Sequence, residues 1–328
     1  MSIETVVVLD PISEATADRL RAFLPPGMVL THGTARGDDH LRAIIAEAEY
    51  AISGQVAVSG DVLRAARRLK LLHKWGVGVD NLDIDAARAL GIQVARTTGS
   101  NALPVAEFTI GLMIATMRHL AYGHAELKRG QWRGGRLPGE SFLLSGKTVG
   151  LVGFGAIGRN VARLLAGFGC TILYHKPTPL AAEEEVRLGI SYAMMPELLA
   201  RADIVSLHCP LTPQTAGLID RTALRAMKRT AVLINVARGG VVDEADLARA
   251  LRAGDIMGAA TDVFETEPPP ADHPLLALDN AVVTPHLAAG AADNFAPTVG
   301  RMFDNIARVA RGEAVPESDC VVGPPSRR

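Results

Sequence analysis

Four places along this chain set reactive side chains just past short apolar runs that read as strands: the glycine-rich turn at Gly153, Arg238 after 231–236, the stretch Asp262 to Glu267 after a run near 258, and His286 after 280–284. In open α/β sheets ligands collect at the carboxyl ends of strands, so a site is expected there. A guanidinium can bind an anionic substrate and polarise its carbonyl, an imidazolium can give a proton as hydride arrives, and a carboxylate can favour the protonated imidazole. Gathered at the rim of a dinucleotide-binding sheet, such groups suit hydride transfer. Taken singly they read more blandly, Arg238 and Glu267 as a surface ion pair and His286 as a structural histidine.

The element that must position a dinucleotide is 148–159, TVGLVGFGAIGR: a buried strand, a glycine-rich turn and the start of a helix whose apolar spacing runs through 156–168. Gly153, Gly155 and Gly158 fit G-x-G-x-x-G. The first allows a tight turn, the second lets a pyrophosphate approach the backbone, and the third lets helix and strand pack closely. The helix opening at Ala156, Ile157 and Gly158 would present unpaired N–H groups and a positive dipole end to the phosphates.

At 328 residues the chain is about twice the usual domain size, which predicts two domains. Short apolar runs at 5–10, 28–31, 50–53 and 69–75 alternate with helical patterns at 14–23, 40–48, 61–66 and 83–90, as in a parallel sheet with helices on both faces. A long apolar helix is expected over 103–117, crossing between domains, with Pro104 in its first turn. Residues 119–146 have poor periodicity and many Gly and Arg, which reads as an exposed loop or an arm covered by a second subunit. A second α/β series follows, with strands at 171–174, 203–211, 231–240, 258–268 and 280–286, and an amphipathic helix over 291–310.

Hydrophobic residues at 48% and charged residues at 21% are globular proportions, and a net charge of -1 gives no electrostatic case for nucleic acid or an acidic membrane surface. There is no basic n-region at the start and no run of the ~18 apolar residues a membrane span needs, so a cytoplasmic protein is expected. Cys170, Cys209 and Cys320 lie far apart without C-x-x-C spacing, against a disulfide framework or a metal site.

The segments Asn235-Val236-Ala237-Arg238-Gly239-Gly240, Asp262-Val263-Phe264-Glu265-Thr266-Glu267-Pro268 and Thr284-Pro285-His286 resemble the signatures of the D-isomer-specific 2-hydroxyacid dehydrogenases. The likeness extends to Gly76-Val77-Gly78-Val79-Asp80-Asn81 and to Ser100-Asn101 followed by Val105-Ala106-Glu107, about the whole chain. It implies an α/β fold of two open parallel-sheet, Rossmann-like domains with the active site in the cleft between them. The substrate domain would be 1–100 plus 287–328, the dinucleotide domain 101–286, and the arm at 119–146 would make a homodimer.

The resemblance also implies roles. Arg238 would hold the substrate's carboxylate and carbonyl oxygen. His286 would be the acid in reduction and the base in oxidation, and Glu267, selected over Glu265 by its place before Pro268, would hydrogen-bond the imidazole and favour its protonated form. The amides of Val77 and Gly78 would cradle the substrate carboxylate, with Asn101 nearby, and Asp262 would contact the nicotinamide amide. His208, with Pro210, Thr215 and Ala237, would line the cofactor cleft rather than act as acid. Lys74 stands where phosphoglycerate dehydrogenases carry a basic residue for the phosphate; a snorkelling lysine is the plain alternative. His32, His40, His119, His124 and His273 read as surface or packing residues.

In NAD-binding proteins of this type an acid about 20 residues beyond the first glycine takes the ribose hydroxyls. Here the strand at 171–174 leads into His175-Lys176-Pro177-Thr178, with no acid before Glu183. That favours NADP over NAD, with His175, Lys176 and Thr178 on the phosphate side. The implied activity interconverts a small 2-oxo acid and its D-2-hydroxy acid, with glyoxylate or hydroxypyruvate reduction expected. The alternatives are a D-3-phosphoglycerate dehydrogenase and, from another class, a nucleotide-sensing, corepressor-like binding protein. Formate-type relatives carry glutamine where Glu267 stands, which argues against that activity.

Overall fold

Val-, Ile- and Leu-rich runs too short for helices settle here into strands buried on both faces, as helix-covered parallel sheets require. The computed structural model describes residues 3–132 and 140–324. The chain divides into two compact units, Met1–Asn101 with Ala292–Arg328, and Ala102–Ala291. In the first, β1 (Glu4–Pro11), β2 (Met28–Gly33), β3 (Tyr50–Ser53), β4 (Leu71–Lys74) and β5 (Gln93–Arg96) pair in parallel in the order β5-β4-β3-β1-β2. Alternate β1 residues serve opposite faces: Val7 and Leu9 pack into one core, Val6 and Val8 into the other.

The second unit holds β6 (Thr148–Val152), β7 (Thr171–His175), β8 (Ile190–Tyr192), β9 (Ile204–Leu207), β10 (Val232–Asn235), β11 (Gly258–Thr261) and β12 (Ala281–Val283). All its pairings are parallel, in the order β12-β11-β10-β9-β6-β7-β8. Every carboxyl end therefore lies on one edge, and the chain reverses direction across the sheet between β6 and β9, the switch point where open α/β sheets take ligands.

Several expectations need correction. The strand expected over 203–211 ends at Leu207, ahead of Pro210, which has no N–H to give a ladder. Those expected over 231–240 and 258–268 stop at Asn235 and Thr261, and the remainder forms the loops that carry Arg238 and Glu267. Strands β5 and β8, and the helices Leu120–Lys128 and Ala182–Leu188, were not anticipated. Nor was β13 (Cys320–Val322), which joins β5 antiparallel, so the first sheet is not wholly parallel. The helix Ala102–Met117 belongs to the second unit, with Val105, Ala106, Ile110, Met113 and Met117 in one core with Val149, Leu151 and Ile234. Of the expected arm at 119–146, residues 133–139 lie outside the described residues. Among the described residues no helix is long and apolar enough to cross a membrane, and no cluster of three or more His, Cys, Asp or Glu could hold a metal ion.

Candidate active site

The turn after β6 has the geometry its glycines suggest. Gly153 has φ 94, and a Cβ there would sit 2.5 Å from the His208 carbonyl carbon. A Cβ on Gly158 would lie 2.6 Å from the Gly153 carbonyl oxygen, so helix and strand pack too closely for a side chain. Gly155 differs: a Cβ there would meet nothing within 4 Å. It caps the helix Ala156–Leu165 without a side-chain hydrogen bond, so the first N–H groups of that helix face open space over a bare backbone. The arrangement fits a pyrophosphate.

Across the switch point, the His208 N–H donates to the Val152 carbonyl at 2.7 Å and its Nε2 lies 2.9 Å from Ser206 Oγ. Burial pushes the His208 imidazole down to about 3, so it stays neutral and is unsuited to proton donation at ordinary pH. Its loop is braced by Thr215, whose hydroxyl donates to the Pro210 carbonyl at 2.6 Å and accepts from the Thr212 N–H at 2.8 Å. At the end of β7, His175 is tied by Nδ1 to the Ala193 carbonyl at 3.0 Å and stacks on Tyr192. Lys176 is half-buried, Thr178 is exposed, and of the acids that follow Glu183 is exposed, Glu184 is engaged by Arg159 at 2.7 Å and Glu185 by the Tyr174 hydroxyl at 2.6 Å.

Arg238, Glu267 and His286 follow β10, β11 and β12, three neighbouring strands. His286 Nδ1 lies 2.8 Å from Glu267 Oε2, while Glu267 Oε1 accepts the Phe264 N–H at 3.1 Å. Burial pushes the Glu267 carboxyl up, but the hydrogen bond and charge of His286, the Phe264 N–H and the Arg238 guanidinium outweigh it and hold the group below its ordinary value. An ionised Glu267 makes Nδ1–H the donor and leaves Nε2 as the ring nitrogen for a substrate. Arg238 donates to the Ala237 carbonyl at 2.7 Å, while Ala237 itself is buried in the core.

Three supports for this trio were missed by sequence reasoning. Asn235, 2% exposed, donates to the Arg238 carbonyl at 3.0 Å and accepts from the Ala237 N–H at 3.1 Å, fixing the backbone that carries the guanidinium. Gly239 lets two loops touch: a Cβ there would lie 1.9 Å from the Phe264 carbonyl carbon. His273, read as a surface or packing residue, pairs with Glu244 at 2.8 Å, and Glu244 accepts the Glu265 N–H at 2.7 Å, bracing the segment that carries Glu267.

Asp262 is 1% exposed, and its carboxylate accepts from Thr284 Oγ1 at 2.6 Å and from the N–H groups of Leu287 and Ala288, both at 2.8 Å. These bonds bracket His286, whose φ of 55 is left-handed and disfavoured for any residue with a Cβ. The resemblance assigns Asp262 to the nicotinamide amide; the geometry gives it this loop to hold.

In the first unit, the turn 76–78 follows β4, with Gly76 at φ 134. Its Gly76 carbonyl accepts the Thr97 N–H at 3.0 Å, and Arg96 donates to the Val77 carbonyl at 3.3 Å. Among the described residues the N–H groups of Val77 and Gly78 have no acceptor, as an anion cradle requires. Asn101 directly precedes the helix Ala102–Met117. Lys74 is 7% exposed and donates to the Gly54 carbonyl and, at 2.6 Å, to Asn81 Oδ1.

Residues 110–288 match the family described as D-isomer specific 2-hydroxyacid dehydrogenase, NAD binding domain. A hydroxypyruvate reductase from Thermotoga maritima is 39% identical over 258 residues, 78% of this chain and 82% of that protein. The chain belongs to the D-isomer specific 2-hydroxyacid dehydrogenase family. A further family relative, a D-3-phosphoglycerate dehydrogenase from Mycobacterium tuberculosis, is 37% identical over 324 residues, 98% of this chain; the chain spans 60% of that protein's length. The crystal structure of an NADPH-dependent glyoxylate/hydroxypyruvate reductase from Sinorhizobium meliloti is similar at TM-score 0.82 and 30% identity, covering 99% of this chain and 100% of that one.

Proposed function

We propose that this 2-hydroxyacid dehydrogenase is an NAD(P)-dependent oxidoreductase that reduces a small 2-oxo acid, such as glyoxylate or hydroxypyruvate, to its D-2-hydroxy acid. The observation that carries the reading is the 2.8 Å Glu267–His286 pair, with the charge of Arg238 acting on the same carboxylate. Arg238 binds the substrate carboxylate and draws electron density onto the carbonyl oxygen. His286 Nε2 gives its proton to that oxygen as the carbonyl π bond breaks, and ionised Glu267 balances the imidazolium charge. A bound nicotinamide supplies the hydride to the carbonyl carbon. Oxo acid, hydride and proton together give the hydroxy acid, and the reverse reaction uses neutral His286 as base.

The cofactor is NADP in preference to NAD, since Lys176 follows β7 where a ribose-binding acid would stand and Glu184 and Glu185 are engaged elsewhere. A homodimer formed through 119–146 is supported by the apolar side chains this stretch exposes, Leu120, Leu127, Trp132 and Leu143 at 55%, 56%, 85% and 65%. Its three cysteines are free, in keeping with a cytoplasmic location.

The test is a panel of 2-oxo acids with NADH and NADPH, followed by loss of the reduced-nicotinamide absorbance. Expected are turnover of glyoxylate or hydroxypyruvate, a lower KM for NADPH, and an increase of about tenfold in that KM in Lys176→Ala. Equal efficiency with both cofactors, unchanged in Lys176→Ala, contradicts the NADP preference; no turnover of any oxo acid contradicts the enzymatic reading.

A further inference from the structure

The carboxylate beside His286 stands on a loop with little means of holding its own shape. After β11 the chain runs Phe264-Glu265-Thr266-Glu267-Pro268-Pro269-Pro270-Ala271-Asp272-His273, and its three consecutive prolines have no N–H to give. Among the described residues the backbone of this loop closes on itself in one hydrogen bond, from the His273 N–H to the Pro270 carbonyl at 3.0 Å. Its other ties come from the helix Glu244–Ala253 of the same unit. Asp243 caps that helix, which leaves Glu244 in the first turn to reach across: Oε1 accepts the Glu265 N–H at 2.7 Å and Oε2 lies 2.8 Å from His273 Nε2. One carboxylate thus grips the chain on both sides of the proline run. The Glu244 and His273 side chains are only 12% and 10% exposed, so solvent screens this pair far less than a surface ion pair. His273 is fixed in turn, with Nδ1 accepting the Leu275 N–H at 3.4 Å and its ring edge to face with Phe264, centroids 5.3 Å apart. Leu275 lies in one core with Leu247 and Leu251 of the helix.

This grip falls next to the proton donor's partner. The Phe264 N–H goes to Glu267 Oε1 at 3.1 Å, the following N–H goes to Glu244, and Glu267 Oε2 is 2.8 Å from His286 Nδ1. We propose that Glu244 and His273 are positioning residues for the proton transfer: by holding the proline loop at Glu265 and at His273, they keep the Glu267 carboxylate against the His286 imidazole. The inference rests on the oxo-acid reductase reading and deepens it.

The experiment measures kcat, the KM of the cofactor and melting in Glu244→Ala, alone and combined with Glu267→Gln, beside the wild type. In Glu244→Ala kcat should fall about 100-fold, as for a displacement of ~1 Å at the site, with the cofactor KM within about twofold of wild type. Because the effect passes through Glu267, the same substitution made in Glu267→Gln should lower kcat by no more than about threefold further. An ionised Glu267 favours the protonated imidazole, so the alkaline fall in reduction rate should move to lower pH in Glu244→Ala. His273→Gln keeps a donor towards Glu244 and should hold kcat within about fivefold of wild type, whereas His273→Phe should lose about as much as Glu244→Ala. Should Glu244→Ala fail to fold, the two His273 variants supply the comparison. A kcat within about threefold of wild type in folded Glu244→Ala or His273→Phe, or an equal loss with and without Glu267→Gln, overturns the inference and leaves the reductase reading standing. Absence of turnover by the wild type with every oxo acid and both cofactors instead overturns the reductase reading, and the inference falls with it.

Discussion

Asp262→Asn tests how the His286 loop is held. The buried carboxylate accepts three hydrogen bonds from 284–288, two on Oδ1 and one, from the Ala288 N–H, on Oδ2. Asparagine has the same shape and can keep the Oδ1 pair, but it sets an amide NH2 against the Ala288 N–H, donor facing donor. One charge-assisted bond of ~1.5–3 kcal/mol is lost and one buried N–H is stranded at ~1–3 kcal/mol, so a destabilisation of about 3–5 kcal/mol is expected. At ~2–4 °C per kcal/mol for a unit of this size, calorimetry should show melting of the second unit lowered by roughly 10 °C. The His286 backbone also loses part of what keeps it left-handed, and a displacement of ~1 Å at the proton donor costs about 100-fold in rate. The assay is kcat at saturating oxo acid and NADPH beside the melt. Melting within about 1 °C of wild type together with kcat within about twofold would refute the assignment of Asp262 as the loop's anchor.

Other perturbations follow from the same geometry. Gly239→Ala places a Cβ 1.9 Å from the Phe264 carbonyl carbon, so the Arg238 and Glu267 loops must part; kcat/KM should fall about 100-fold, measured by steady-state reduction. Glu267 has its carboxyl held below its ordinary value of 4.5, so the stability it contributes is present above that value and lost as pH falls through the lower folded value. The melting difference between wild type and Glu267→Gln should therefore be full at neutral pH and vanish in acid. His73, wholly buried between the Lys74 carbonyl and Asn305, has its imidazole pushed down to about 4 by burial, against the nearby charge of Asp319 and with that of Arg301. The unfolded chain takes that proton first, so stability should drop as pH falls from about 6.5 towards about 4, with a flatter pH slope in His73→Gln.

The local parts of this architecture were legible in the sequence. The glycines at 153, 155 and 158 announce a turn because each meets a different local demand, and β-branched runs announce strands because they fill both faces of a sheet. Loop edges were harder: 231–240 and 258–268 stay apolar past their strands because their loops are themselves packed, with Ala237, Val263 and Phe264 buried. Distant pairings left no local trace. Strand β13 joins β5 over 220 residues away, and the Arg301–Asp319 pair that secures it depends on Thr98 bonds that composition does not show. Nothing in the order of residues signalled that Asp10 would cap the 54–56 turn and Lys74 face inward; both follow from three strand ends lying side by side.

His286 is the group expected to pass the proton to the oxo acid. His286→Ala, assayed for reduction of glyoxylate and hydroxypyruvate and, in the same preparation, for NADPH binding by fluorescence, tests it most directly. Turnover should fall about 10³-fold with cofactor affinity within about twofold of wild type. Turnover within about tenfold of wild type, with the cofactor still bound, would contradict it.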